Sequence, residues 1–320
     1  MHLDLPPKIG LGVKLQQMSI PFEELAAKTQ KCEELGYDSV WLIDHLLPIG
    51  GQPLTTPILE SWTTLTALAV RTSRIRLGTL ATCNLFRYPS VLAKMASTFD
   101  VISGGRLEFG IGAGWFEEEF RAHGMAFPKF SERAARLREA VRLIRLMWTE
   151  ERASFQGKYY SIKEAINNPK PIQKPCPPVW VGGQGEKFIL PVTAEVADWT
   201  NLTWLAPEEC RAKLLKLDEY CIEQGRRPED IRRSLQNHLY IAPTEGQLEG
   251  LMERAAKSRG SSVEELVRRN RPIYGTPEGC IEQIQKYVDI GITYFVLIFP
   301  GAIDSSPLEL FIDRVAPSFQ

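Results

Sequence analysis

Short apolar runs rich in β-branched residues alternate with amphipathic helical segments along most of this chain, a rhythm that builds a parallel sheet covered by helices. The first run is Ile9 to Val13. After it Phe22, Leu25, Thr29, Cys32 and Leu35 recur at helical spacing, with Pro21 suited to the first turn and Gly36 to the stop. The cycle repeats through strand Ser39 to Ile43, helix near Trp62 to Val70, strand Ile75 to Thr79, helix Val91 to Ile102 and strand Leu107 to Gly110. Later strands are expected at Val179 to Gly182, Asp198 to Asn201, Leu235 to Ile241 and Tyr294 to Phe299. The count is about eight, the number that closes an α/β barrel. Alternation alone leaves a doubly wound open sheet as the competing architecture.

Two spacings are too long for one helix, the stretches over about 116–177 and 243–290, and both are expected to hold insertions within one barrel domain spanning 1–320. The first carries a helix around Ala134, Leu137, Val141, Ile144 and Trp148, then FQGKYYSI, which reads as a hairpin, then NNPKPIQKPCPP. Proline at that density excludes helix and sheet interior and marks an extended connector. Barrels of ~250 residues or more form single domains, so 320 residues fit one.

With 44% hydrophobic and 24% charged residues the chain matches an ordinary globular protein. A formal net charge of -1 and no long basic run give no pull toward nucleic acid or anionic membrane, so a small-molecule partner is expected. The six cysteines form no CxxC pair and read as reduced thiols. No secretory signal pattern opens the sequence and no stretch approaches the ~20 apolar residues that span a bilayer, which makes the cytoplasm the default location. Four histidines, none at HxH or HExxH spacing, weaken a metal-dependent hydrolase reading.

Asp44 and His45 close the second strand in GYDSVWLIDH, and in a barrel the carboxyl ends of strands form the active site. A histidine near its usual pKa of ~6.5 exchanges a proton at neutral pH, as interconversion of alcohol and carbonyl requires beside a hydride. A turn-capping Asp44 and a merely hydrogen-bonded His45 are the plainer alternative. The segment SGGRLEFGIGAGW exits its strand through Gly110, Gly112 and Gly114, where backbone can approach a flat ring or a phosphate. It fits a Rossmann loop poorly, because Trp115 stands where GxGxxG needs glycine and three strands precede it. WVGGQGEKFIL ends a strand in glycines and opens a helix, a ready phosphate site, but it lacks the lysine and hydroxyl of a P-loop. GTLATCNLFRYPS places Thr79, Leu80 and Ala81 at the mouth, followed by Cys83, Asn84 and Arg87; Cys83 reads as pocket-lining, not as a nucleophile.

Taken together, the DH pair, GTLATCNLFRYPSVLAKMASTFDVISGGRLEFGIGAGW and PPVWVGGQGE resemble the luciferase-like monooxygenase family, particularly its F420-dependent branch. The resemblance covers most of the chain and is loose over the last hundred residues. It implies a (β/α)8 TIM barrel, usually a homodimer, with a flavin-type ring at the carboxyl end. Asp44 and His45 would lie by the ring, His45 as proton donor or acceptor. Thr79, Leu80, Ala81 and Cys83 would line the pocket, with a non-proline cis peptide near Leu80 and Ala81. Gly112, Ala113, Gly114 and Trp115 would border the ring or its ribityl chain, and Gly182, Gly183, Gln184 and Gly185 the phosphate.

One departure matters. F420-dependent sugar-phosphate dehydrogenases of the family carry a catalytic glutamate where Trp115 stands, so their substrate is not transferred; Trp115, Phe86 and Tyr88 suggest an apolar one. The expected activity is hydride transfer between the deazaflavin coenzyme F420 and a small organic substrate. Two alternatives stay open: a monooxygenase using reduced FMN and oxygen, and a flavin-binding or deazaflavin-binding protein with little catalysis.

Overall fold

The computed structural model describes residues 9–300 and 305–319. Expectations about residues 1–8, the absent signal and His2 among them, lie outside the described residues. In chain order the elements begin β1 (Gly10–Lys14), α1 (Phe22–Glu34), β2 (Ser39–Leu42), α2 (Ser61–Arg71), β3 (Arg76–Thr79), β4 (Thr82–Cys83), α3 (Pro89–Ile102) and β5 (Leu107–Gly112). They continue with α4 (Glu117–Ala122), α5 (Phe130–Thr149), β6 (Ala153–Gln156), β7 (Ser161–Ala165), β8 (Val179–Gly182), α6 (Ile189–Val196), β9 (Trp199–Thr203) and α7 (Pro207–Glu223). The last are β10 (Arg232–Ile241), α8 (Glu245–Ser258), α9 (Val263–Asn270), β11 (Ile273–Gly275), α10 (Pro277–Val288), β12 (Tyr294–Ile298) and α11 (Ser306–Arg314).

Eight parallel strands close on themselves in the order β1, β2, β3, β5, β8, β9, β10, β12 and back to β1. The closing pair, β12 with β1, aligns Gly10 with Tyr294 and Val13 with Leu297. Closure decides between the two architectures that alternation allowed: this is a (β/α)8 barrel, and it has no open edge. Several of its helices start with the residue their position favours. Pro89, Pro207 and Pro277 open α3, α7 and α10, where a missing N–H costs nothing, and the Glu60 side chain accepts from Trp62 N and Thr63 N to cap α2. Pro21 sits one residue before α1, and Gly36 beyond its end takes a φ of 84°.

The two long stretches hold barrel helices as well as additions. α5 and α10 follow the repeat, while α4, the antiparallel β6–β7 hairpin, α8, α9 and the short β11, which extends beside β10, lie outside it. The helix α11 after the last strand completes the ring, and no sequence pattern announces it.

Inside the barrel the N-terminal half is filled with aromatic rings. Trp180 and Trp199 stack with centroids 4.2 Å apart, and the edge of Trp41 meets Trp180 at 4.9 Å. Tyr294 closes against both Trp180 and Trp199. Glycines on the facing strands make room: a Cβ at Gly10 would overlap the Tyr294 ring, and one at Gly12 the Ser39 hydroxyl and the Trp41 indole. A polar layer crosses this plug, in which Trp180 Nε1 donates to Glu108 Oε2 at 2.6 Å and the Arg76 guanidinium pairs with the other oxygen. Burial pushes the Glu108 carboxyl above its usual range against the opposing pull of Arg76.

Candidate active site

At the carboxyl end of β2 the chain delivers Asp44 and His45 to different surroundings. Asp44 is 3% exposed and turns back into the protein. It accepts from Ser61 Oγ at 2.6 Å, from the Cys83 amide at 2.9 Å and from both terminal nitrogens of Arg87 at 2.7 and 3.0 Å. Arg87 also reaches Glu60 at 2.5 Å, so one guanidinium joins the carboxylate after β2 to the cap of α2. Bidentate pairing of this kind suits arginine and holds two loops in one register.

His45 faces the mouth. Its Nδ1 lies 3.0 and 3.1 Å from the two oxygens of Glu119, whose side chain is buried on α4 and also accepts from the Leu46 amide at 3.0 Å. A carboxylate only accepts, so the hydrogen of His45 sits on Nδ1 and the lone pair is on Nε2. The edges of Trp115 and Phe116 pack on the imidazole at 5.4 and 6.2 Å. Trp115 itself is 63% exposed and stacks on Phe116. Sequence reasoning missed Glu119. Its signal is the run FEEEF, in which the α4 turn carries Glu119 and Phe120 inward while Glu117 and Glu118 stay toward solvent.

The third strand ends in a bulge. A non-proline cis peptide joins Leu80 to Ala81, and the chain then resumes as β4, which pairs with β5 where β3 has left it. Thr79 is buried, its hydroxyl bonded to that of Thr82 and to the Gly110 carbonyl. Leu80 points into the aromatic interior. Ala81 lies against the glycines of the two neighbouring strands: a Cβ at Gly112 or Gly182 would meet the Ala81 methyl at 3.4 or 3.2 Å. Gly114, at φ 76°, passes over Cys83 so closely that a Cβ would press on Sγ. The buried Cys83 thiol is pushed up to about 12 by desolvation and stays protonated.

Across the next loop Gly183 takes φ 129°, and Gln184 accepts from the Thr203 amide at 2.9 Å, tying β8's exit to β9. The Gly185 carbonyl starts the turn into α6 by accepting from Phe188, Ile189 and Leu190. Ala81, Gly112 and Gly182 thus form a floor with almost no side chains, and the imidazole of His45 meets the indole of Trp115 on the loop that leaves Gly112. A flat polycyclic ring with a phosphate-bearing tail fits such a floor and the glycine turn beside it.

The family profile described as luciferase-like monooxygenase matches residues 5–294. The chain belongs to the luciferase-like monooxygenase family. It is an enzyme of oxidoreductase type. The F420-dependent glucose-6-phosphate dehydrogenase of Intrasporangium calvum is 32% identical to it, over 98% of this chain and 99% of the relative. Among solved structures this member of the family is similar to an F420-dependent secondary alcohol dehydrogenase in complex with an F420-acetone adduct, with TM-score 0.83 and 20% identity over 98% and 99% of the two chains. The coenzyme F420-dependent tetrahydromethanopterin reductase from Methanopyrus kandleri gives TM-score 0.81 and 21% identity over 98% and 100%. These two likenesses are of fold.

The Asp44–Arg87 pair is the testable part of this framework. Arg87→Met leaves a buried carboxylate without its cation and should lower unfolding stability by ~3–5 kcal/mol. Chemical denaturation measures it, and a loss under ~1 kcal/mol would show that the pair does not hold the mouth together.

Proposed function

We propose that this luciferase-like enzyme transfers a hydride between the deazaflavin coenzyme F420 and a small organic substrate, with His45 carrying the proton. The observation that carries the reading is the pairing of a floor bare of side chains with an imidazole whose Nδ1 is committed to a buried carboxylate. F420, when bound, supplies the two-electron hydride chemistry. The protein's part is to seat the ring over Ala81, Gly112 and Gly182, with Ala113, Gly114, Trp115, Thr79, Leu80 and Cys83 shaping the wall and Gly182 to Gly185 taking the phosphate. His45 Nε2 receives the hydroxyl proton of an alcohol or returns it to a carbonyl oxygen. Asp44 acts through its neighbours: saturated by four donors, it fixes where His45 and the bulge lie. The named activities of the relatives support F420 over FMN. Glucose 6-phosphate is not carried over, because Trp115 stands where the resembling dehydrogenases have their catalytic glutamate.

The same reading places the enzyme in the cytoplasm as a homodimer. The described cysteines Cys32, Cys83, Cys176, Cys210, Cys221 and Cys280 are all unpaired thiols, as a reducing compartment keeps them. Among the described residues no helix is long and apolar enough to cross a membrane. Val70 on α2, Val91, Val101 and Ile102 on α3, and Ile172 on the connector bonded to Asp100 are exposed apolar side chains of the kind that a second copy of the chain would cover.

Fluorescence titration with oxidised F420 and, separately, FMN tests the cofactor; saturation by F420 at micromolar concentration with weaker FMN binding is expected, and FMN preference would move the enzyme to monooxygenase chemistry. His45→Ala should then cut turnover by ~100-fold or more with F420 affinity little changed, and unchanged turnover would remove the proton role. Sedimentation equilibrium should give a dimer that Val70→Arg with Val101→Arg shifts toward monomer; a monomeric wild type would overturn that assignment.

A further inference from the structure

Beside the glycine floor, β1 and β10 bring a second set of polar side chains together, one of which holds the Leu80 carbonyl. Lys14, the last residue of β1, is half-buried in the barrel. Its Nζ donates to the Leu80 carbonyl at 3.1 Å and to Gln236 Oε1 at 2.8 Å. Both acceptors are neutral, and among the described residues Lys14 has no carboxylate partner within ion-pair distance. An ammonium drawn partly out of water without a counter-charge is costly, and desolvation lowers this one to about 7.

Two residues along β10 from Gln236, on the same face of the strand, stands His238. It is 7% exposed, and its buried Nδ1 has no hydrogen-bond partner in the protein. The indole of Trp204 lies parallel to the imidazole, at 7° and 5.6 Å, and the Trp204 amide is bonded to the Gln236 carbonyl at 3.1 Å. The orientation of the His238 ring is therefore fixed from outside. Desolvation, then the charges of Arg259 and Lys14, hold His238 down to about 4, so it is neutral at pH 7.

We propose that Lys14 and His238 form the recognition subsite for a carboxylate on the substrate, which makes that substrate a hydroxy- or oxocarboxylic acid. An ammonium has three N–H groups and Lys14 has spent two, leaving one; a neutral imidazole with its hydrogen on Nδ1 offers another. Two donors match the two oxygens of a carboxylate and fall short of the three of a phosphoryl group. β1 neighbours β2, so an acid anchored at Lys14 is held on the strand next to the one that leads into His45. Gln236 sets the specificity: as a neutral acceptor it orients Lys14 without cancelling its charge. The inference deepens the proposed function and rests on it for the position of the reacting carbon, but anion recognition is measurable without F420.

Calorimetric titration of the full chain, free of deazaflavin, with cyclohexanecarboxylate, cyclohexanecarboxamide and inorganic phosphate tests it. The carboxylate should bind saturably and the amide and phosphate at least ~10-fold more weakly. Lys14→Met and Gln236→Glu should each weaken the carboxylate at least ~10-fold, the second by giving Lys14 a counter-charge in an isosteric change that leaves the melting temperature unlowered; if the Lys14→Met change disturbs folding, the Gln236→Glu variant still decides. Tighter phosphate binding, no saturable carboxylate binding, or affinity unchanged in the Gln236→Glu variant would overturn the subsite. Failure of F420 to bind the same preparation would sink the cofactor reading and leave this outcome standing.

Discussion

A single buried carboxylate holds the mouth of this barrel in register. Asp44 takes hydrogen bonds from the start of α2, from the backbone of β4 and from Arg87 ahead of α3, three segments that follow two different strands. Because the ion pair is bidentate and nearly dry, its partners have little freedom to drift. His45 is the next residue in the chain and inherits its position from that knot, and the bulge at Leu80 and Ala81 is pinned from its far side through Cys83. The geometry at the mouth is thus built outward from a carboxylate already bonded to four of the protein's own donors.

Much of this is written in the sequence in a form that local rules can read. The strands are visible because a barrel strand is buried on both faces and spells a short β-branched run, and the helices because α1 to α3 bury one stripe each. His45 and the glycine exits are visible because strand ends concentrate function in this architecture. Glu119 and the Lys14–Gln236–His238 set are not, since each joins residues far apart in the chain: Glu119 is 74 positions from His45, and Gln236 is 222 from Lys14. Lys14 in particular looks like an ordinary charged residue ending a strand, and only barrel closure shows that it points inward. β4 escapes notice because two residues after a bulge carry no periodicity, and Asp44 reads as a companion of His45 although the two side chains face opposite ways.

The barrel's interior divides into sides as well as layers. From β3 through β5 to β8 the lining is Ala81, Gly112 and Gly182, which give up packing and leave backbone uncovered. From β10 to β1 the lining is Gln236 and His238, both buried, with the half-buried Lys14, and these give up solvation to hold hydrogen-bonding groups inside the barrel. Each side is a poor core by itself. The aromatic layer beneath, with Trp180 and Trp199 in face-to-face contact, supplies the dispersion and burial that offset both.

That aromatic layer has a further consequence for traffic. With Trp41, Trp180, Trp199 and Tyr294 filling the lower half and Arg76 and Glu108 bridging across it, the barrel is a cup with one opening. Whatever lies deepest enters first and leaves last, so any two guests of the cup must share a doorway. The sequence of arrivals and departures is then set by geometry before any rate constant enters, and the opposite end of the molecule, sealed from the chemistry, is where extra chain could be attached without touching it.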